Sequence, residues 1–442
     1  MVLSALLAAK LSVKVALTAC WAALHTMQYG FAITSLNGIQ QTVTCNGIQH
    51  DGSFEAKNKL LKDCIPMTSA QFGLVVSILT LGGLLGSLSS NIVTGRLGKA
   101  GTLRCSAIIV SVGSAQIALA NSIGFMAFGR IIVGIGCGLS TVTVPVFLAE
   151  IAPSSITRSL GIMNQVFIVM GMLIAQSLSF PFAKPAKWRY IFVVAFAIAI
   201  FQLCASLLVQ ERTVEEEGEE EPLLNGPKEK PMSIKELLLS RDSSVYKGFL
   251  VVLSTQISQQ ICGVAPGNLV MYFSTRILTP VFGNRAQLMA LFVVMIKIPI
   301  TIVPAFVIEK FGSKVFLVYP TAIMCFSALL LAVGINSDAP SLSIIALMFF
   351  VTAFSVGLGP VTWVVLPEVM LKRAVTAAGS LGLAVNWILT FCMGVAFLPL
   401  QHWLSGNKES KEGNIFFILS ATCAMASVAM GMAFANYERG VL

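Results

Sequence analysis

The chain has 442 residues, of which 56% are hydrophobic and only 11% are Asp, Glu, Lys or Arg. Average chains carry about 25% charged residues, so this composition excludes an ordinary soluble domain. A mean hydropathy of +0.84 and repeated apolar runs near the ~20 residues that span a bilayer predict an all-α, polytopic membrane protein.

The charged residues also exclude other classes of protein. The formal net charge is +9, but Lys and Arg lie mainly in short loops, where they set membrane orientation rather than bind nucleic acid. No nucleophile–base arrangement, phosphate-binding loop or Cys/His metal spacing is present in the sequence. We therefore predict no enzyme activity, no bound metal and no cofactor.

Twelve apolar segments follow in chain order, six on each side of an acidic stretch. They lie at roughly 12–38, 68–93, 103–121, 123–148, 159–181, 188–209, 246–278, 286–308, 315–335, 342–367, 374–400 and 414–436. The first is too long for a signal peptide and is interpreted as a spanning helix. We divide the chain into a first half at 1–210, an acidic cytosolic linker with one short amphipathic helix at 211–245, and a second half at 246–442.

Basic residues indicate which ends of these segments are cytosolic. They follow the second, fourth, eighth and tenth segments and comprise Arg96, Lys99, Arg104, Arg158, Lys310, Lys314, Lys372 and Arg373. By the positive-inside rule those loops and both termini are cytosolic, and loops 39–67 and 401–413 face the other side. Cys45 and Cys64 lie in the first outer loop, where a disulfide and two free thiols are both consistent with the sequence.

The most informative stretch, Gly129–Gln165, reads GRIIVGIGCGLSTVTVPVFLAEIAPSSITRSLGIMNQ. An arginine and three spaced glycines open its first helix, and small residues let helix backbones pack closely in lipid. A charged turn containing a proline then leads to a second helix that bears two amides. The residues concerned are Arg130, Gly134, Gly136, Gly138, Pro145, Glu150, Pro153, Arg158, Asn164 and Gln165.

This stretch strongly resembles the signature between the fourth and fifth helices of the sugar porters, in the major facilitator superfamily. The second half of the chain echoes the first: NIVTGRLGKAG is followed later by VIEKFGSKV, and AEIAPSSITR by PEVMLKRAV. The resemblance implies twelve transmembrane helices in two six-helix halves, with a substrate site at the midplane between them.

The resemblance also implies that charges at cytosolic helix ends close the inner side in one transport state. The alternative is a set of solvated loop charges. Two departures from the family pattern, Gly95 for an acid or amide and Ala100 for a basic residue, predict a weaker latch. The predicted gating residues are Gly95, Arg96, Arg130, Glu150, Arg158, Glu309 and Glu368, with Tyr272 and Phe273 as an outer aromatic gate.

Neutral amides suit a sugar, because they donate and accept hydrogen bonds without the desolvation cost of a charge. Aromatic faces pack on the apolar side of a sugar ring. The resemblance places such residues at the substrate site. The alternative is that these side chains only form hydrogen bonds that hold the helices together. The predicted substrate-binding residues are Gln165, Gln259, Gln260, Asn268, Lys297, Phe354, Trp363, Asn386 and Trp387. Asn268 fits the family spacing only if an insertion of about three residues is allowed.

Two of these positions depart from the family in charge. Lys297 stands where many relatives have a site asparagine, and Ser355 stands where glucose facilitators commonly have a glutamate. A lysine within a membrane helix is a functional candidate by default. It is consistent with an anionic substrate, with a group that titrates, or with a side chain that extends toward a polar region.

Ala32 replaces the aspartate that proton-linked sugar porters carry in the first helix, although Arg130, the usual partner of that acid, remains. We therefore predict a monomeric transporter for a hexose or related sugar, working by alternating access and facilitated diffusion. The alternatives are a transporter of a small anion or sugar acid, with proton coupling through Lys297, and a transporter-like nutrient sensor.

The acidic linker contains EEEPLL at 219–224, with Glu219 ahead of Leu223 and Leu224. This pattern fits an acidic dileucine signal that adaptor proteins read for delivery to a vacuole or lysosome. The alternative is a plain solvated linker. We predict an adaptor complex and membrane lipid as partners beside the small-molecule substrate, and a vacuolar or lysosome-like membrane in preference to the plasma membrane.

Overall fold

The computed structural model describes residues 13–45, 61–209, 231–264, 286–406, 411 and 413–441. These residues are helical or irregular, with no β-strand among them. Each of the twelve predicted segments is helical over most of the part that the structure describes. Seven helices in these ranges are long and apolar enough to cross a membrane.

The first half contains helices α1 to α6. Their bounds are α1 Val13–Thr34, the short α2 Gln40–Val43, α3 Ser69–Ala118, α4 Ile123–Ile151, α5 Thr157–Phe182 and α6 Arg189–Ala205. The second half follows a short cytosolic helix, α7 Ile234–Leu239. It comprises α8 Ser243–Gln259, α9 Ala286–Asn336, α10 Pro340–Val356, α11 Leu358–Val369, α12 Val375–Ser405 and α13 Asn414–Val441.

Helices α3 and α9 each contain two predicted segments joined at one glycine. A straight helix over the 49 residues Ala70–Ala118 of α3 would be about 74 Å long, more than twice the ~30 Å of the hydrocarbon core. Gly98 in α3 has φ +69° and ψ 179°, and Gly312 in α9 has φ +75° and ψ 163°. Only glycine adopts this conformation at little cost. The two halves therefore share a kink at a glycine with positive φ, in addition to the similarity of their sequences.

The spaced glycines of α4 pack against α3 rather than against α5. A Cβ on Gly134 would lie 2.3 Å from the carbonyl oxygen of Leu79, and one on Gly138 would lie 2.2 Å from that of Gly83. Gly136 instead faces the part of α3 that follows Gly98, where a Cβ on Gly136 would lie 2.9 Å from the Ser106 carbonyl oxygen. Helix α4 therefore lies between both arms of α3, a contact that the spacing of the glycines alone did not assign.

The tenth predicted segment is broken at Gly357 into α10 and α11. Gly357 has φ −104° and ψ −103°. A Cβ there would lie 2.7 Å from Pro320 Cβ and 2.8 Å from the Phe316 carbonyl oxygen. The break lets α10 pack closely on α9 and directs α11 toward the interface between the halves. Helices α11 and α9 both contact α5, and α12 contacts α3.

The outer loop is fixed to the first half by a disulfide and a buried arginine. Cys45 is bonded to Cys64, with their Cα atoms 5.4 Å apart, so the structure selects the disulfide that the sequence left open. Arg189 donates to the carbonyl oxygens of Ala118, Ala120 and Lys62, each at 2.7 Å. These bonds supply acceptors for a guanidinium that is only 6% exposed.

Candidate functional site: the interface between the halves

Four amides of the second half form one buried hydrogen-bonded cluster. Gln260 donates to Asn386 Oδ1 at 2.7 Å, and Asn386 donates to Gln256 Oε1 at 2.7 Å and to Gln259 Oε1 at 3.1 Å. Gln259 in turn donates to the Leu358 carbonyl at 3.0 Å. The cluster therefore joins the end of α8 to both α12 and α11.

Gln256 is the member of this cluster that sequence reasoning missed. It is 2% exposed and lies three and four residues before Gln259 and Gln260. Residues at this spacing share a helix face. The run QISQQ therefore indicated that Gln256 lies on the same helix face as the glutamine pair and shares its hydrogen-bond partners.

Two tryptophans of the second half contact the first half. Trp363 in α11 donates its indole N–H to Gln165 Oε1 in α5 at 2.8 Å. The Trp387 ring in α12 packs edge-on to Tyr29 of α1, with centroids 5.3 Å apart, and fits against Gly83 of α3, where a Cβ would lie 2.5 Å from the ring. Sequence reasoning had not singled out Tyr29 or Gly83.

Some polar atoms in this region have no hydrogen-bond partner although they are buried. They are the Gln260 Oε1, the Trp387 indole N–H, and both amide atoms of Asn164. An unpaired buried polar atom costs roughly 1–3 kcal/mol, so a hydroxylated ligand that paired with these atoms would recover that energy. The arrangement offers the hydrogen-bond donors and acceptors that a neutral, hydroxyl-rich molecule requires.

Lys297 and Phe354 lie beside the amide cluster rather than in it. The Lys297 ammonium is 5.6 Å from the centroid of the Phe354 ring. That ring packs on Gly263 in the π-helical turn Gln260–Val264, where a Cβ would lie 2.0 Å from it. The absence of a side chain at Gly263 therefore lets the aromatic ring pack between this turn and Lys297. Asn268, Tyr272 and Phe273 lie outside the described residues.

Arg130 is buried inside the first half, away from the cytosolic helix ends. It is 1% exposed. It donates to the carbonyl oxygen of Ala32 at 2.7 Å, and to those of Val76 and Val75 at 3.3 and 3.4 Å. Backbone carbonyl oxygens thus accept the hydrogen bonds of the guanidinium, one of them at Ala32, where proton-linked relatives carry an aspartate. A cation within a membrane is tolerated when it is paired in this way.

The predicted cytosolic gating residues fall into two groups. Arg158 in α5 lies 2.9 Å from Glu368 Oε1 in α11 and 3.5 Å from Glu309 Oε2 in α9, so it joins the halves. Glu368 also accepts from Ser313, and Glu309 accepts from the Ser159 backbone N–H at 3.0 Å. We call Arg158, Glu309 and Glu368 the cytosolic latch.

The second group lies within one half or is solvated. Glu150 pairs with Lys99 at 2.5 Å, and both belong to the first half. Arg96 is exposed and has no hydrogen bond or ion pair with a described residue, and a Cβ on Gly95 would meet nothing within 4 Å. Arg373 pairs at 3.3 Å with Asp242, the residue before α8.

A cavity of about 200 Å³ adjoins the latch and is bounded by both halves. The latch residues, Pro145, Ala149 and Gly161 of the first half, and Val364 and Pro367 of the second line it. Near it, the Met232 carbonyl accepts from Asn91 of α3 at 3.3 Å, and the Met232 N–H donates to the Arg373 carbonyl at 2.8 Å. The end of the linker therefore contacts both halves on the side that carries the latch.

Comparison with known proteins decides the family. A family model described as sugar (and other) transporter matches residues 15–436. The chain belongs to this family. The solved structure of XylE from E. coli, a proton:xylose symporter of the major facilitator superfamily bound to 6-bromo-6-deoxy-D-glucose, superposes with a TM-score of 0.74 at 20% identity and covers 94% of each chain. The predicted twelve-helix major facilitator fold is thereby confirmed.

Two curated yeast relatives cover most of this transporter. A probable metabolite transport protein, YBR241C of Saccharomyces cerevisiae, is 27% identical over 91% of this chain and 89% of its own length. Vacuolar protein sorting-associated protein 73 of the same yeast is 26% identical over 87% of each. The protein is thus an integral, multi-pass membrane transporter of sugars or metabolites and not an enzyme, as predicted.

Replacing Arg158 by glutamine should open the cytosolic side. The latch joins the halves, and its partly exposed charges contribute about 1 kcal/mol, so its loss shifts the equilibrium several-fold. The measurement is the rate of thiol labelling at Ala149→Cys in the cavity, in a background whose eight free cysteines are replaced by alanine. We expect several-fold faster labelling.

Lys99→Gln is the matched control, because it removes an ion pair within one half and should leave the labelling rate unchanged. Equal rates in the Arg158→Gln variant and its parent would show that the latch does not hold the halves together.

Proposed function

We propose that the protein carries a hexose or related sugar by alternating access and facilitated diffusion. The observation that carries the proposal is the contact of Trp363 with Gln165 beside the amide cluster around Asn386. An amide from the first half and amides and indole rings from the second suit a sugar, because hydroxyls need partners that donate and accept. A site shared between halves is exposed to one side or the other as the halves move.

Facilitated diffusion is supported by what surrounds Arg130. Proton coupling at this position needs an acid that can gain and lose a proton within the membrane. Here the guanidinium is held by carbonyl oxygens, among them that of Ala32 itself at 2.7 Å. Among the described residues, Asp and Glu lie in loops or within a few residues of a helix end or break, with Glu309 three residues before the break at Gly312. The solute gradient alone then drives transport.

Removing the centre of the amide cluster should weaken sugar binding. Asn386→Ala deletes three hydrogen bonds within the cluster, so we expect KM for the transported hexose to rise about tenfold, the equivalent of roughly 1.4 kcal/mol. The measurement is saturable uptake of labelled hexoses by purified protein in sealed liposomes.

Gln116→Ala is the control, because that amide bonds only the Phe125 carbonyl at 3.0 Å, far from the cluster in sequence. Absence of saturable uptake of any sugar by the unmodified protein would refute the proposed function.

Introducing an acid at Ala32 should make uptake respond to protons. Ala32→Asp places a carboxylate next to Arg130, and we expect an imposed proton gradient to accelerate its uptake while the unmodified protein stays indifferent. Ala32→Asn is the matched control, since it has the same size and cannot titrate. Gradient-driven uptake by the unmodified protein would contradict facilitated diffusion.

We also propose that the protein is a monomer delivered to a vacuolar membrane by an adaptor complex that reads Glu219, Leu223 and Leu224. These residues lie outside the described ranges, and the support is the EEEPLL sequence and the name of one yeast relative. We expect a fluorescent fusion in yeast to move from the vacuolar to the plasma membrane when both leucines become alanine.

Leu238 and Leu239 provide the matched control for that experiment. They form an exposed leucine pair in α7, and changing them to alanine should leave the location unchanged. A vacuolar location that survives loss of Leu223 and Leu224 would exclude the signal.

A further inference from the structure

Lys297 is a cation near the middle of the eighth predicted segment, and it forms no ion pair with a described acidic residue. No Asp or Glu occurs between Asp242 and Glu309, and Glu309 is twelve residues further along, about 18 Å at the rise of an α-helix. The side-chain contact of its ammonium is the Phe354 ring, at 5.6 Å. A cation–π contact stabilises an ammonium, but it does not neutralise it.

The position of this ammonium relates it to the sugar site. Phe354 lies between Lys297 and the π-helical turn that begins at Gln260, and its ring packs on Gly263 of that turn. The next helix, α11, begins four residues after Phe354, and its first two carbonyls accept from Gln259. The Phe354 ring therefore separates Lys297 from Gly263, which follows Gln260 by three residues.

Arg130 shows how this protein satisfies a cation that has only a structural role. Its guanidinium donates to three backbone carbonyls within the first half. Lys297 has no such set: its backbone carbonyl accepts from Thr301 at 2.7 Å, but its ammonium has no hydrogen bond to any residue that the structure describes. A partly buried ammonium without acceptors is an available site for an anion.

We propose that Lys297 binds the carboxylate of the substrate, so that the transporter prefers hexose-sized sugar acids to neutral hexoses. This inference rests on the proposed function, because the amides and indoles bind the hydroxyls of the same molecule. One ammonium matches the single charge of a carboxylate. A phosphate carries about −1.5 to −2 at neutral pH and would leave surplus negative charge in the membrane.

The test compares uptake of D-glucuronate, D-glucose and D-glucose 6-phosphate by purified protein in liposomes. We expect the glucuronate-to-glucose ratio of kcat/KM to exceed one and to fall about tenfold or more in Lys297→Asn, because a charged partner is lost. Lys297→Arg should retain the preference. Glucose uptake by Lys297→Asn shows that this variant is folded.

Lys310 offers a matched control on the same helix. Its ammonium also lies 5.6 Å from a phenylalanine ring, that of Phe311, but it is exposed near the cytosolic end. Lys310→Asn should leave the ratio unchanged. A second readout is voltage: an inside-positive potential should accumulate glucuronate above the external concentration and leave glucose equal on both sides.

The outcomes separate the two proposals. Glucose uptake without glucuronate uptake overturns the carboxylate site and leaves the sugar transporter standing. An unchanged ratio in Lys297→Asn also overturns it and indicates a lysine that merely extends toward a polar region. Preference for the phosphate ester identifies a different anion and overturns the carboxylate. Uptake of none of the three compounds refutes the proposed function together with this inference.

Discussion

Polar side chains inside a bilayer have no bulk water to pair with, and this constraint organises the protein. Trp363 and Gln165 are hydrogen-bonded across the two halves, and Asn386 is hydrogen-bonded to three glutamines within the second half. Contacts between halves are made in one arrangement and must break in another. A sugar that replaces them supplies the hydrogen bonds whose loss would otherwise oppose that movement.

The charges obey the same constraint in different ways. Ion pairs occur at the cytosolic face, where Arg158 contacts Glu309 and Glu368 and water lowers the cost of separating them. Arg130 uses backbone carbonyls within the first half. Lys297 contacts an aromatic ring and pairs with no acid among the described residues. This difference in surroundings is why we propose a gating role for Arg158, a structural role for Arg130 and a ligand for Lys297.

The sequence predicted the helices well, because twelve apolar runs separated by basic loops admit few arrangements in a membrane. It also identified Gln165, Gln259, Gln260, Trp363 and Asn386, which the structure brings to one interface. It did not assign the partners of individual residues. The glycines of α4 face α3, the break at Gly357 depends on packing against Pro320, and Trp387 fits against Gly83. Such pairings depend on which helix surfaces meet, and no periodicity within one segment specifies that.

The central claim is that the two halves close and open around a sugar held between them. It is tested most directly by pulsed electron paramagnetic resonance, with spin labels at Lys99 and Lys372 on the cytosolic ends of the two halves. The account predicts two distance populations whose ratio changes when a transported sugar is added, and a shift toward the longer distance when Arg158 is replaced. A single distance that neither sugar nor the Arg158 substitution alters would contradict it.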